Sequence, residues 1–187
     1  MSIANTGLFV KKNERKTLAI AEKIYNNNTD IVAVAIRGGY YGLEWIDNFN
    51  IGTTENSFHA GFKTAADEVM QELREYLLKN ASGKSVKLWI CGYSRGGAVA
   101  NIVASMLVAN KAEFPCQVYA YTFASPKSVV VESEKAHDTV YRSIFNILSP
   151  NDPLYNIPPD KWGFGRYGIC VVLPDNNDVS YEGAQNI

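Results

Sequence analysis

One stretch of this chain constrains its fold more than any other. Residues 98–109 are apolar on nearly every side of a helical projection, and such a helix is stable in water only when other elements bury it. It is preceded by the apolar run Val86 to Cys91 and the glycine-rich turn Gly92-Tyr93-Ser94-Arg95-Gly96-Gly97. A strand that turns at once into a buried helix predicts a sheet with helices packed on it. Ile31 to Ile36 is a second apolar run, rich in β-branched residues, and reads as a strand buried on both faces. Val118 to Phe123, Ile144 to Leu148 and Ile169 to Leu173 read as further short strands. Between them Phe62, Ala65, Ala66, Val69, Met70, Leu73, Tyr76 and Leu77 follow helical three-and-four spacing up to Ser82-Gly83-Lys84. Leu18, Ala21, Ile24 and Tyr25 share one helical face, which predicts another helix over 13–25, ended by the turn Asn26-Asn27-Asn28. Alternating strands and helices with doubly apolar strands predict an α/β fold, a mostly parallel sheet with helices on both faces.

A chain of 187 residues is long enough for one hydrophobic core, so residues 1–187 are expected to form a single domain. Lys and Arg total 18 against 19 for Asp and Glu, for a net charge of −1. That argues against nucleic acid as the main partner, because a phosphate-binding surface needs a clustered basic excess. Arg37, Lys63, Lys87 and Arg95 break up the apolar stretches, and none reaches the roughly 18 residues of a membrane-spanning helix. The start of the chain carries no secretory signal as written, which leaves cytoplasmic and secreted settings both open. Cys91, Cys116 and Cys170 are widely spaced and odd in number, and the chain has only two histidines, His59 and His137. They form no disulfide framework or metal-site pattern, and the expectation is no metal and no cofactor.

Gly92-Tyr93-Ser94-Arg95-Gly96 is a Gly-x-Ser-x-Gly pentapeptide. Its position after an apolar strand and before a buried helix is that of a nucleophile elbow, a strained turn that presents the serine hydroxyl at the carboxyl end of a sheet. Small residues at Gly92 and Gly96 admit close backbone approach, and the positive end of the helix stabilises developing negative charge. Acyl transfer at Ser94 further requires two backbone N–H donors for the oxyanion. The N–H of Arg95 is one candidate. Gly39, in the Arg37-Gly38-Gly39 turn after the Ile31 to Ile36 strand, is the other.

With these residues in place, the chain resembles the class 3 lipase family of α/β-hydrolases. The resemblance runs from about Ile31 to Gly168 through blocks in fixed order. They are Ala35-Ile36-Arg37-Gly38-Gly39, Glu44-Trp45-Ile46-Asp47-Asn48-Phe49, Phe58-His59-Ala60-Gly61-Phe62, the Ser94 elbow, Tyr121-Thr122-Phe123-Ala124-Ser125-Pro126 and Ser149-Pro150-Asn151-Asp152-Pro153. The resemblance implies Ser94 as nucleophile, Asp152 as the acid that orients a catalytic histidine, and the Gly39 and Arg95 amides as oxyanion hole. It also implies that Tyr41 to Asn50, with Trp45 and Phe49, takes the position of a lid drawn aside at a lipid–water interface; core packing accounts for those aromatics equally well. Asp152 follows the Ile144 to Leu148 strand, which places it at the carboxyl edge where α/β sheets bind ligands. An Asp that starts a turn before Pro153 is the structural alternative. Ala124 stands where the family usually has Gly, a change expected only to tighten packing.

A serine needs a base, nearly always imidazole, and in α/β-hydrolases the order is Ser, acid, His. No histidine follows Asp152. Three readings follow: the sequence stops before the segment that holds the base, the protein is an inactive hydrolase fold that binds acyl ligands or a partner, or His59 or His137 is recruited. The first is the expectation, with a C-terminally incomplete fold and a lipase- or esterase-like function on glycerides, phospholipids or other carboxylic esters. The sequence carries no signal for oligomeric state.

Overall fold

A computed structural model describes residues 6–12, 17–39, 58–81, 83–112, 114–130 and 139–174. Its strands are β1 (Thr6–Lys12), β2 (Thr17–Asn26), β3 (Thr29–Ile36), β4 (Ser85–Tyr93), β5 (Gln117–Phe123), β6 (Val129–Val130), β7 (Ile144–Leu148), β8 (Phe164–Gly165) and β9 (Ile169–Val172). Its α-helices are α1 (Ala60–Asn80) and α2 (Arg95–Ala109). Among the described residues the main sheet has seven strands in the order β1-β2-β3-β4-β5-β7-β9. β1, β2 and β3 pair antiparallel, and β3, β4, β5, β7 and β9 are parallel. The mostly parallel α/β sheet expected from the alternation is present. β6 and β8 make a small separate pair.

The expected helix over 13–25 is a correction: residues 17–26 are strand β2, paired with both β1 and β3. Leu18, Ile20 and Ile24 alternate as well as they follow helical spacing, so the pattern is ambiguous. Pairing with Ile36 and Val34, opposite Leu18 and Ile20, decides it, and both side chains are buried. Asn27 and Asn28 turn the chain, with the Asn28 N–H donating to Asn26 Oδ1 at 3.0 Å.

One hydrophobic core joins the inner side of the sheet (Val32, Val34, Leu88, Ile90, Val118, Ala120, Ile144) to Phe62, Ala66, Val69 and Leu73 of α1 and Ala98, Ile102, Val103 and Leu107 of α2. Helix α2 is buried almost throughout, as its all-round apolar surface requires. Both described α-helices contribute to this one core. The reading of doubly buried strands, and of helices on both faces, is met on one face only among the described residues. On the opposite side of β4 and β5, Trp89 is 53% exposed, Tyr93 63% and Phe123 43%. Period-two alternation in β4 and β5 places these aromatics away from the helices.

Candidate active site

Strands β3, β4, β5 and β7 are parallel neighbours, so the segments leaving their carboxyl ends gather on one edge. Those segments are Arg37–Gly39, Ser94, Ala124–Ser128 and Ser149–Asp152. The first, second and fourth were read from the sequence as oxyanion loop, nucleophile and acid. β4 and β7 are separated by β5 alone, about 10 Å between strand axes.

Ser94 is the residue between β4 and α2, at φ 54° and ψ −125°, a backbone region that side chains rarely adopt. It heads the helix: its carbonyl accepts the N–H of Gly97 at 2.8 Å and of Ala98 at 3.2 Å. Its hydroxyl makes no capping bond to that helix, although serine favours such a bond at this position. The Ser94 N–H donates to the Phe123 carbonyl at 2.9 Å and ties the elbow to the end of β5.

The glycines of the elbow are required by contact. A Cβ on Gly92 would lie 2.2 Å from the Gly96 carbonyl oxygen, and one on Gly96 would lie 2.3 Å from that of Ile36 and 2.5 Å from that of Arg37. Strand end, helix start and the Arg37–Gly39 loop are therefore pressed together, backbone on backbone. The Arg37–Gly39 loop also passes Ser94: a Cβ on Gly38 would be 3.0 Å from the Tyr93 oxygen and 3.6 Å from Ser94 Cβ. Gly39 is the next residue, on the exposed side of that loop. Arg95 opens α2 with its amide at the positive end of the helix. Its side chain is 7% exposed with Nε unpartnered, a cation set against the helix dipole.

Asp152 caps the short 3-10 turn Pro153–Asn156, and its Oδ1 accepts the Leu154 N–H at 2.8 Å. The turn-starting role named as its structural alternative is thus real, and it leaves Oδ2 out of that bond. Ala124 has φ 48°. The family's Gly at this place reflects backbone conformation, so the expectation of a packing change alone is corrected: Ala124 carries left-handed strain.

His59 is packed in the core. It is 1% exposed at the start of α1, with its ring stacked on Phe62 at 4.3 Å and tilted against Phe164 at 5.7 Å. Its backbone N–H donates to the Ser128 carbonyl at 2.9 Å, and its ring Nδ1 has no partner. Burial lowers its pKa from the ordinary histidine value. It is a buried residue of the core. His137 and the lid candidates Trp45 and Phe49 lie outside the described residues.

The class 3 lipase family matches residues 33–162 of this chain. The chain belongs to that family. A secreted mono- and diacylglycerol lipase of Fusarium solani is 26% identical over 147 residues, covering 71% of this chain and 41% of the relative. A phospholipase A1-IIgamma of Arabidopsis thaliana is 30% identical over 150 residues, covering 63% and 34%. The structure of a Rhizomucor miehei triacylglyceride lipase superposes with a TM-score of 0.64 at 20% identity, covering 91% of this chain and 68% of that one, and shows the shared α/β-hydrolase fold. The chain spans less than half the length of these two curated relatives.

This class 3 lipase chain holds polar groups that the sequence reading missed. Asn101 on α2, Asn146 on β7 and Thr122 on β5 are fully buried. Asn146 Oδ1 accepts from Thr122 Oγ1 at 2.7 Å and from Asn101 Nδ2 at 2.9 Å, and both amides donate to the Tyr167 carbonyl. The network links helix α2, which follows Ser94, to strand β7, which precedes Asp152. Its signal was available, since an Asn inside an apolar helix and another inside an apolar strand each demand a partner. Arg166 is likewise buried at 7% exposure.

Proposed function

We propose that this chain carries the nucleophile, oxyanion donors and acid of a carboxylic ester hydrolase acting on lipid esters. The observation that carries the reading is Ser94, held at φ 54° at the head of a buried helix with its hydroxyl uncommitted to the cap. In this reading Ser94 Oγ attacks the acyl carbonyl and forms a tetrahedral adduct. The Arg95 and Gly39 N–H groups hold the adduct's oxyanion, and each such donor contributes about 3–4 kcal/mol to the transition state. The alcohol leaves with a proton, and water releases the acid from acyl-Ser94. Asp152 orients the imidazole that moves the protons. The reaction calls for no cofactor.

The substrate class is a glycerol ester with an apolar acyl chain, a glyceride or phospholipid. The named activities of the Fusarium and Arabidopsis relatives support that choice, with Tyr41 to Asn50 as the lid at a lipid surface. Turnover of a short-chain nitrophenyl ester by the protein with its catalytic histidine present tests the reading. Ser94→Ala is expected to lower it by about 10³-fold or more, with Asp152→Asn also strongly impaired. A Ser94→Ala protein as active as wild type would sink it.

A further inference from the structure

The assignment of Asp152 as the acid leaves open what holds its turn in place. We propose that Arg166 is a positioning residue for Asp152, clamping the turn that bears the carboxylate onto the loop that leaves β5; this rests on the reading of Asp152 given above. The Arg166 guanidinium reaches both sides of that junction. Its Nε and Nη2 donate to the Ser125 carbonyl at 2.8 and 2.5 Å, and Nη2 also donates to the Tyr155 carbonyl at 2.9 Å. Ser125 lies two residues beyond β5. Tyr155 lies inside the Asp152 turn and donates its own N–H to the Asp152 carbonyl at 2.9 Å. The carbonyl that Arg166 grips and the carboxylate thus belong to one rigid turn.

The seat of Arg166 is itself fixed on both sides. The Gly165 carbonyl accepts the Ser128 N–H at 2.9 Å, and the Tyr167 N–H donates to Asn101 Oδ1 at 3.1 Å on the nucleophile's helix. A parallel tie runs through Lys127, whose N–H donates to the Ile157 carbonyl at 2.8 Å and whose Nζ meets Asp160 at 2.5 Å. Nucleophile helix, β5 loop and acid turn therefore meet around residues 165–167. A buried cation is costly, and burial pulls the Arg166 pKa down, opposed by nearby groups that include Asp160 and Asp152. Serving two carbonyls from separate loops needs the planar fork of arginine, which a lysine point charge does not reproduce.

The test compares wild type, Arg166→Lys, Arg166→Gln, Asp152→Asn and the Arg166→Gln/Asp152→Asn double variant. Amide hydrogen exchange at Leu154 and Tyr155 is read against that of α2. The rate of Ser94 phosphonylation by a fluorophosphonate is read alongside. In Arg166→Gln the Leu154 and Tyr155 amides are expected to exchange about 10-fold faster or more while α2 keeps its protection, with Arg166→Lys in between. Phosphonylation is expected to slow by a similar factor in Arg166→Gln and in Asp152→Asn, and the double variant to be no slower than Asp152→Asn alone. Wild-type exchange at Leu154 in a folded Arg166→Gln overturns the proposal, as does an Arg166→Lys protein indistinguishable from wild type. Multiplying rate effects in the double variant overturn it too, since they would mean that Arg166 does not act through Asp152. Absence of phosphonylation in wild type counts against the proposed function, and the exchange measurement then decides the clamp by itself.

Discussion

Replacing Ser94 by glycine is expected to make the protein more stable. At φ 54° and ψ −125° Ser94 holds a conformation that side chains seldom adopt, and such a residue costs about 1–3 kcal/mol. Glycine relieves most of that strain and restores about 0.5–1 kcal/mol of unfolded-state entropy, for a net gain of about 1 kcal/mol. Ser94→Ala is the right reference, because it removes the same hydroxyl and keeps the strained Cβ. The comparison isolates the backbone, since the Ser94 hydroxyl makes no bond to the helix it heads. Urea unfolding followed by far-UV circular dichroism should place Ser94→Gly about 1 kcal/mol above Ser94→Ala. In a thermal melt that is about 2–4 °C for a domain of this size. A Ser94→Gly protein less stable than Ser94→Ala would refute the claim that the elbow stores strain at the reactive residue.

Ala124→Gly is expected to stabilise by about 0.5–1 kcal/mol in the same assay, because Ala124 sits at φ 48°. Gly96→Ala should destabilise by about 2–3 kcal/mol or more and reduce ester turnover with it, since the new Cβ would meet the Ile36 and Arg37 carbonyls at 2.3 and 2.5 Å; a fully stable, fully active variant would count against the packed elbow. His59 makes stability depend on pH. Its folded-state pKa is lowered by burial, so the unfolded chain takes up the proton first as pH falls. Its contribution is complete above the ordinary histidine value of about 6.5 and is lost below it, by at most about 1.4 kcal/mol per pH unit. Unfolding curves at pH 7 and pH 5 should show a larger difference for wild type than for His59→Gln, and equal differences would refute the burial argument.

The parts of the site legible in the sequence are those whose physics is local. Val86 to Cys91, the elbow glycines and the helix after them are contiguous, so a strand, a turn too tight for a Cβ and a buried helix could be read as one unit. The place of Asp152 at the carboxyl end of β7 was readable because it follows an apolar strand. Strand β2 was not, because Leu18, Ile20 and Ile24 suit either period and the deciding contacts are with β1 and β3. Arg166 stayed hidden for a related reason: its partners are backbone carbonyls 41 and 11 positions away, and a carbonyl leaves no mark in a sequence. Ala124 shows the limit of reading a substitution by size, since its effect lies in a dihedral angle.

The central claim is that Ser94 is the reactive nucleophile, and covalent mapping tests it most directly. After treatment of the protein, its catalytic histidine included, with a fluorophosphonate, peptide mass spectrometry should find one phosphonyl adduct, on Ser94, that is absent from Ser94→Ala. An adduct on Ser125 or Ser128 with Ser94 unmodified, or no adduct at all, would contradict it.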